Sequence, residues 1–243
     1  MDAEIKKFIE ENIDLIEHGE FEELYQALND RHKVPNLTET LLGADINPAR
    51  YMKEIPKRYL QDSTIQSYVI PGGINAIGDR AFENCSELTD ITIPNSVSTI
   101  GYHAFAYCRR LTSITIPDSV ISIGSFAFSN CSGLTNVTIP NFVTSIGDSA
   151  FYKCNGLTSV TIGNSVTSIG YSTFYKCNAL ASITIPNNVI SIDGYAFNHT
   201  KNLESINYLG TKDQWNKIKL KPLWNADSRI EKVECTDGVI ELK

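Results

Sequence analysis

The sequence predicts a strand-dominated solenoid of stacked α/β repeats, with a helical N-terminal cap and a mixed C-terminal cap. Three observations predict it. The pair Ile-Pro returns every 23 residues from Ile70–Pro71 to Ile185–Pro186, and Ile162–Gly163 fills the one slot that departs. Columns of Phe, Leu and Ile keep the same register without an insertion. The residues on either side of 70–207 lose this repeat and show other periodicities.

Three apolar columns define the repeat, and each holds one residue type at six successive positions. They are Phe82, Phe105, Phe128, Phe151, Phe174 and Phe197; Leu88, Leu111, Leu134, Leu157, Leu180 and Leu203; and Ile77, Ile100, Ile123, Ile146, Ile169 and Ile192. A period of roughly 20–29 residues with the spacing Leu-x-x-Ile-x-Ile is typical of leucine-rich repeats. One repeat cannot cover its own apolar side, so we expect six stacked repeats to bury a continuous core.

One repeat shows how the local structure should form. In Leu111–Ile116 the alternation of apolar and polar residues predicts a strand that points its isoleucines inward. Pro117 should end the strand because it has no N–H to donate. Gly124 should permit the turn into a short helical or irregular stretch that carries Phe128.

The repeat Ile-Pro-x-x-Val-x-x-Ile-Gly-x-x-Ala-Phe-x-x-Cys-x-x-Leu-Thr-x-Ile-Thr resembles the BspA-type leucine-rich repeat. The resemblance covers residues 70–206, a little over half of the chain. It implies a repeat scaffold used for protein binding, often as a cell-surface adhesin, and it implies no catalytic residues.

The N-terminal end is predicted to cover the first repeat. Residues 55–69 fit a degenerate repeat, since Tyr59 stands 23 residues before Phe82. Residues 1–54 should form a helical cap, because 4–17 and 21–28 space their apolar residues along one helical face. Such a cap shields the apolar face that a terminal repeat would otherwise expose.

Residues 208–243 predict a C-terminal cap made of a short helix and a β-hairpin. Tyr208 takes the next Ile-Pro position, and the repeat then stops. The pattern Thr211-x-x-Gln214 is a capping box that begins a helix. Strands over 231–235 and 239–242 are separated by Asp237–Gly238, which favours a hairpin turn.

Composition argues against several function classes. A net charge of −7 over 243 residues disfavours nucleic-acid binding, which needs a basic face to neutralise phosphates. No apolar run approaches the roughly 20 residues that span a bilayer. The acidic N-terminus differs from a signal peptide, so we expect a cytoplasmic protein unless a leader was removed. The nine acidic residues among the first 23 indicate either a solvated helix face or a surface for a basic partner.

The cysteines offer the main chemical candidates. Cys85, Cys108, Cys131, Cys154 and Cys177 keep the 23-residue period, and Thr200 takes the sixth slot. A ladder of buried thiols is the favoured interpretation, because free Cys behaves as a small apolar residue. Disulfides and zinc are the alternatives. Both fit less well, since parallel side chains rarely meet disulfide geometry and no Cys-x-x-Cys pair occurs. We expect no cofactor, no metal and no small-molecule substrate.

Two surfaces are candidates for binding a partner. The outward strand positions form a ladder of Ser and Thr, whereas the turns around the Ala-Phe pair carry larger side chains. Tyr and Arg dominate binding hot spots because each buries a large area and still donates a hydrogen bond. The alternative is that these rings only pack on adjacent turns. The predicted partner-binding residues are Tyr102, Tyr107, Arg109, Arg110, Phe126, Tyr152, Lys153, Tyr171, Tyr175, Lys176 and Tyr195.

These patterns favour a non-catalytic scaffold that binds a protein partner by surface occlusion or tethering. The compact size, the acidic N-terminal segment and the missing leader fit an inhibitor of a host protein encoded by a phage or mobile element. A bacterial cell-surface adhesin that binds a host or matrix protein is the alternative that the family resemblance implies. An enzyme is the weakest hypothesis, because no titratable groups converge in the sequence.

Overall fold

The 23-residue period becomes one turn of a solenoid. A computed structural model of the chain describes residues 54, 55 and 57–242. In this range the chain makes eight turns, and each turn is marked by two residues of left-handed backbone four positions apart. The pairs are 58 and 62, 80 and 84, 103 and 107, 126 and 130, 149 and 153, 172 and 176, 195 and 199, and 223 and 227.

The described elements are short strands and one helix. They are β1 (Glu54–Ile55), β2 (Ser67–Val69), β3 (Ala76–Ile77), β4 (Asp90–Thr92), β5 (Thr99–Ile100), β6 (Ser122–Ile123), β7 (Asn136–Thr138), β8 (Ser145–Ile146), β9 (Ser159–Thr161), β10 (Ser168–Ile169), β11 (Ser182–Ile185), β12 (Ser191–Ile192), β13 (Ser205–Tyr208), α1 (Lys212–Trp215), β14 (Lys219–Leu220), β15 (Lys232–Cys235) and β16 (Gly238–Glu241). The stretch between the two strands of a repeat is therefore irregular, and the repeats are strand-dominated.

The strands of successive turns pair in parallel along two sides of the solenoid. One side holds the pair β2-β4 and the six-stranded sheet β16-β15-β13-β11-β9-β7. The other holds β1-β3-β5-β6-β8 and β10-β12-β14. Pairing follows the repeat period, as in Ser182 opposite Ser159. Ile185 pairs with Tyr208, which confirms that Tyr208 takes the next Ile-Pro position.

The predicted apolar columns form the core between these sides. All six phenylalanines and all six leucines are fully buried. Neighbouring phenylalanine rings stack, from a centroid distance of 5.2 Å between Phe82 and Phe105 to 5.6 Å between Phe151 and Phe174. Tyr68 and Trp224 contact the two ends of this inner phenylalanine stack. Burying a large aromatic side chain stabilises a fold by about 3 kcal/mol, so the stack is a major source of stability.

Each irregular loop is tied to the next turn by backbone hydrogen bonds from alternate residues. Phe126, Phe128 and Asn130 donate their N–H groups to Asp148, Ala150 and Tyr152, at 3.0, 2.8 and 2.7 Å. A left-handed backbone costs a non-glycine residue roughly 1–2 kcal/mol. The loops have left-handed backbone at two positions per turn because this conformation points the alternate N–H groups at the carbonyls of the neighbouring turn.

The glycine of the Ile-Gly pair serves a different purpose from the predicted one. Gly124 does not have left-handed backbone; the residue that does is Phe126, two positions later. A Cβ on Gly124 would lie 2.6 Å from the carbonyl carbon of Gly101 and 2.7 Å from the backbone nitrogen of Tyr102. The glycine is therefore required by the close approach of two turns, not by conformational freedom.

The strand predicted over Leu111–Ile116 is almost absent. Ser113 forms one isolated bridge with Asn136, and the remaining residues have no strand partner among the described residues. The ladder on this side consequently breaks between β4 and β7. A groove of about 330 Å³ opens beside the gap, lined in part by Ile114, Thr115 and Thr138.

The C-terminal cap contains both predicted elements. Thr211 accepts from the Gln214 backbone N–H, and the Gln214 side chain accepts from Thr211, which confirms the capping box. Trp215 is buried against Tyr208 at a centroid distance of 5.2 Å. In the hairpin Cys235 still pairs with Gly238, so the turn is formed by Thr236 and Asp237, one residue earlier than predicted. The helical cap predicted over residues 1–54 lies outside the described residues except for Glu54, which is in β1.

We predict that Gly124→Ala destabilises the protein by about 1–3 kcal/mol, because the new methyl group must push two turns apart. Gly72→Ala is the matched control, since a Cβ there meets nothing within 4 Å. Urea unfolding followed by circular dichroism measures both. Equal free energies of unfolding for the two variants would contradict the close-approach explanation.

Candidate functional site

Aromatic side chains from successive turns form a continuous row on the loop side of the solenoid, which we call the aromatic ridge. Tyr152 and Tyr175 stack with their centroids 5.0 Å apart. Phe126 continues the row at 6.4 Å from Tyr152, and His199 continues it at 5.5 Å from Tyr175. Because the rings stand on loops tied to both neighbouring turns, their spacing follows that of the backbone.

A second row runs beside the first. Tyr171 and Tyr195 meet edge to face with their centroids 5.5 Å apart. Tyr102 contacts His103 and Phe126 at the other end of the ridge. Tyr171 keeps 50% of its surface exposed and Tyr102 keeps 39%, so both rings offer free area to a partner.

A groove of about 430 Å³ lies between the two rows. Its floor includes Ser149 and Ser172, which are 4% and 5% exposed. The same column carries a large ring one turn before Ser149, at Phe126, and one turn after Ser172, at Tyr195. Two successive small residues in a column of large ones therefore create the groove. The predicted residues that line it are Phe126, Tyr152, Tyr171, Tyr175 and Tyr195.

Sequence reasoning missed the two floor serines, although the repeat alignment contains the signal. Aligning the repeats places Arg80, His103, Phe126, Ser149, Ser172 and Tyr195 in one column. In this column the large side chains give way to two successive serines, Ser149 and Ser172. A list of large exposed side chains cannot find a groove, because a groove depends on the small residues between them.

The groove presents hydroxyl groups that can both donate and accept hydrogen bonds. Within the described residues, the hydroxyls of its four tyrosines and two serines have no hydrogen-bond partner. The Lys153 ammonium lies 5.1 Å from the centroid of the Tyr152 ring, and the Lys176 ammonium lies 5.4 Å from that of Tyr175. Neither lysine is paired with a carboxylate of the described range. The nearby Asp148 already accepts the Tyr171 N–H at 2.9 Å.

Six of the eleven predicted binding residues do not line the groove: Tyr102, Tyr107, Arg109, Arg110, Lys153 and Lys176. The Arg109 guanidinium stands 5.9 Å from the Tyr107 ring centroid. Arg110 forms an ion pair with Glu87, and both side chains are exposed. Surface ion pairs contribute roughly 0–1 kcal/mol, so this pair adds little rigidity.

The strand side presents a mainly polar surface, as expected, with an apolar exception at its edge. Side chains partly satisfy one another there, as where Asn207 donates to the Thr184 hydroxyl at 3.2 Å. Phe142 follows the Ile139–Pro140 pair and is 64% exposed. It occupies a column that holds Ser119 and Ser165 in the adjacent turns. This exposed ring was also missed by the sequence prediction.

The five periodic cysteines form the predicted ladder of buried thiols. Each is free and fully buried. Each thiol donates to a backbone carbonyl of the preceding turn, as from Cys131 to Phe105 at 3.1 Å and from Cys154 to Phe128 at 3.1 Å. Burial raises the pKa of the Cys177 thiol to about 12, so its reactive thiolate is scarce near neutral pH. Thr200, which takes the sixth position of this column, also donates a hydrogen bond to a backbone carbonyl. Its acceptor is Phe197 of its own turn, at 2.7 Å, and not a residue of the preceding turn.

The described range contains no group of three or more His, Cys, Asp or Glu side chains that could hold a metal ion. Among residues 54, 55 and 57–242, no helix has the length and apolar character that crossing a membrane requires.

The repeat pattern and the solenoid geometry together agree with one family. The family model of the BspA type leucine rich repeat region matches in six copies over residues 53–118 and 98–221. The chain belongs to the BspA-type leucine-rich-repeat family. Proteins with such repeats generally act as non-catalytic scaffolds, and the matches indicate no enzyme family. Among curated proteins, nothing matches.

Solved structures of bacterial leucine-rich-repeat proteins resemble this member of the family. The T. pallidum leucine-rich-repeat protein is 30% identical with a TM-score of 0.58, over 63% of this chain and 76% of that one. A leucine-rich-repeat protein from Bacteroides ovatus is 28% identical with a TM-score of 0.53, over 71% of this chain and 56% of that one. The pneumococcal vaccine antigen PcpA shares the fold at 22% identity and a TM-score of 0.54, over 70% of this chain and 42% of its own.

We predict that one of the six thiols reacts quickly with a thiol reagent in the folded BspA-type protein. Cys235 is only partly buried, whereas the five ladder thiols are inaccessible until the stack unfolds. Counting labelled thiols by mass spectrometry, before and after denaturation, measures this. Fast native labelling of Cys131 or Cys154 would place the ladder at the surface and reopen the metal and disulfide interpretations.

Proposed function

We propose that this protein is a non-catalytic scaffold that binds a protein partner through the aromatic ridge and its groove. The observation that carries the proposal is the groove itself, with Tyr171 exposed on one wall, half-buried rings on the other, and hydroxyls that lack partners in the described range. Rings that served only to pack the turns would bury their free faces. Tyrosines of this kind typically supply the hot spots of protein interfaces.

The rigidity of the loops supports the same proposal. Ser172 and Phe174 donate to Gly194 and Ala196 of the next turn, at 3.1 and 2.8 Å. Binding to a surface that is already ordered loses little conformational entropy, so more of the contact energy remains as affinity. A preformed surface suits the two proposed mechanisms, which are occlusion of the partner's own site and tethering of the partner.

The proposal has two versions, which differ in whether the protein meets its partner inside or outside a cell. An inhibitor encoded by a phage or mobile element would bind a protein inside the host cell. A cell-surface adhesin would bind a host or matrix protein outside it. Both use the same surface, so a single capture experiment with two sources of prey separates them.

We expect immobilised full-length protein to capture a specific protein that the triple variant Tyr152→Ala, Tyr171→Ala, Tyr175→Ala does not capture. The loss should be about 30-fold or more, because one hot spot contributes about 2 kcal/mol. Prey comes from a lysate of the encoding organism and, separately, from an extracellular-matrix extract. Mass spectrometry identifies the bound proteins.

Tyr107→Ala is the matched control, because it removes a loop tyrosine of the same type outside the groove. It should capture as well as the unaltered chain. Equal capture by the triple variant would move the site away from the ridge. No specific protein from either source would contradict the scaffold proposal.

A further inference from the structure

We propose that copies of this chain associate head to tail, with the acidic residues 1–23 of one copy on an exposed row of lysines at the C-terminal end of another. We call this row the lysine edge; it comprises Lys217, Lys219 and Lys221. The association goes beyond the proposed function and uses residues outside the aromatic ridge. It sets several ridges in a line, so a partner with repeated sites is bound more tightly than by one copy.

The lysine edge belongs to a turn that has a neighbour on one flank. Among the described strands, β14 pairs with β12 and with no other. Lys219 and Lys221 donate their backbone N–H groups to the preceding turn, at 2.9 Å each. The backbone groups of Leu220, between them, therefore point away from the solenoid. The Leu220 side chain is 37% exposed, whereas Ile192, its partner in the preceding turn, is fully buried. This end of the stack is open to a partner.

The positive charge of the edge is not compensated locally. All three lysines are exposed, and residues 217–223 contain no acidic side chain. None of the three forms an ion pair within the described range. Asp193 stands one turn before Lys221 in the strand register, yet the two side chains form no ion pair. The ammonium groups are therefore free to meet carboxylates of another molecule.

The complementary charge lies at the other end of the chain. Residues 1–23 hold nine acidic side chains against Lys6 and Lys7, so this segment is as negative as the whole chain, at −7. The helical spacing of its apolar residues predicts that Glu10, Asp14 and Glu17 lie on the opposite face. A helix that covers the first turn with its apolar face, as the sequence predicts, presents these carboxylates outward.

The topology brings the two charges together between copies. β1 and β14 are the outermost strands of one side of the solenoid, seven intervals of about 4.8 Å apart, or about 34 Å. Glu54 of β1 and Lys219 of β14 are both exposed and stand in the same outward column of the repeat. When the β1 end of one copy meets the β14 end of another, the acidic residues therefore face the lysines. The contact uses a different surface on each copy, so it does not close and further copies add in a row.

Sedimentation velocity of the full chain over a range of concentrations measures the association. We expect the mean mass to rise with concentration at about 0.05 M NaCl and to return to that of one copy at about 0.5 M, because salt screens exposed charges. Lys219→Glu with Lys221→Glu should lower the association constant at least about tenfold, since it places like charges in contact. Lys201→Glu with Arg229→Glu is the matched control, because it gives the same net charge at exposed positions outside the edge. It should still associate.

A charge exchange identifies the two contacting surfaces. Glu10→Lys with Glu17→Lys should weaken the association as strongly as the edge variant does. A chain that carries both pairs of changes has the original net charge and opposite signs on its two surfaces, so it should associate again. A variant that is merely misfolded is not rescued in this way, and circular dichroism melts check that each variant folds.

Three results would overturn the proposal. They are a single copy at every concentration in low salt, association that the edge variant does not weaken, and failure of the combined variant to recover. If single copies instead bind heparin through the same lysines, the edge serves a different polyanion. Capture of a partner through the groove tyrosines does not involve these lysines, so failure of the association and failure of the scaffold function are separate results.

Discussion

The structure depends on the hydrogen bonds that tie each loop to the next turn. Alternate N–H groups, such as those of Phe126, Phe128 and Asn130, reach carbonyls of the next turn at Asp148, Ala150 and Tyr152. These bonds set the register of the loops on neighbouring turns, and they persist in the first and last turns, where the repeat length changes, as from Tyr195 to Leu223. Close approach at Gly124, stacking of the inner phenylalanines and burial of the thiols all follow from this spacing. The outer rings stand on the same loops and therefore take the same spacing, which is why a surface row of tyrosines becomes an ordered ridge.

Much of the fold was predictable because stacking repeats the same physical demand in every turn. The Phe, Leu, Ile and Cys columns are buried as expected, since each must fill the same space between neighbours. The capping box at Thr211 was predictable for a local reason, as its two hydrogen bonds join residues three apart. Five of the eleven residues predicted for binding line one groove, with Tyr152 and Tyr175 in direct contact.

The remaining features depend on contacts between turns that a linear pattern does not contain. Left-handed backbone at residues such as Phe126 and Lys153 contradicts their local preference and exists because the neighbouring turns supply hydrogen bonds. The groove depends on Ser149 and Ser172, because their small side chains leave empty the space that a ring would fill. The broken ladder at Ser113 occurs in a repeat whose residues match those of its paired neighbours, and nothing in the structure explains it.

We propose that the inner columns hold the stack together while the outer ring columns are available for binding. Phe151 and Tyr152 are adjacent in the chain and face opposite ways, one fully buried and the other half-buried. Denaturant unfolding of Phe151→Ala and Tyr152→Ala compares them directly. We predict that Phe151→Ala lowers the free energy of unfolding by about 3–5 kcal/mol and Tyr152→Ala by about 1 kcal/mol or less. Equal losses would show that the ridge is part of the packing and contradict its assignment as a binding surface.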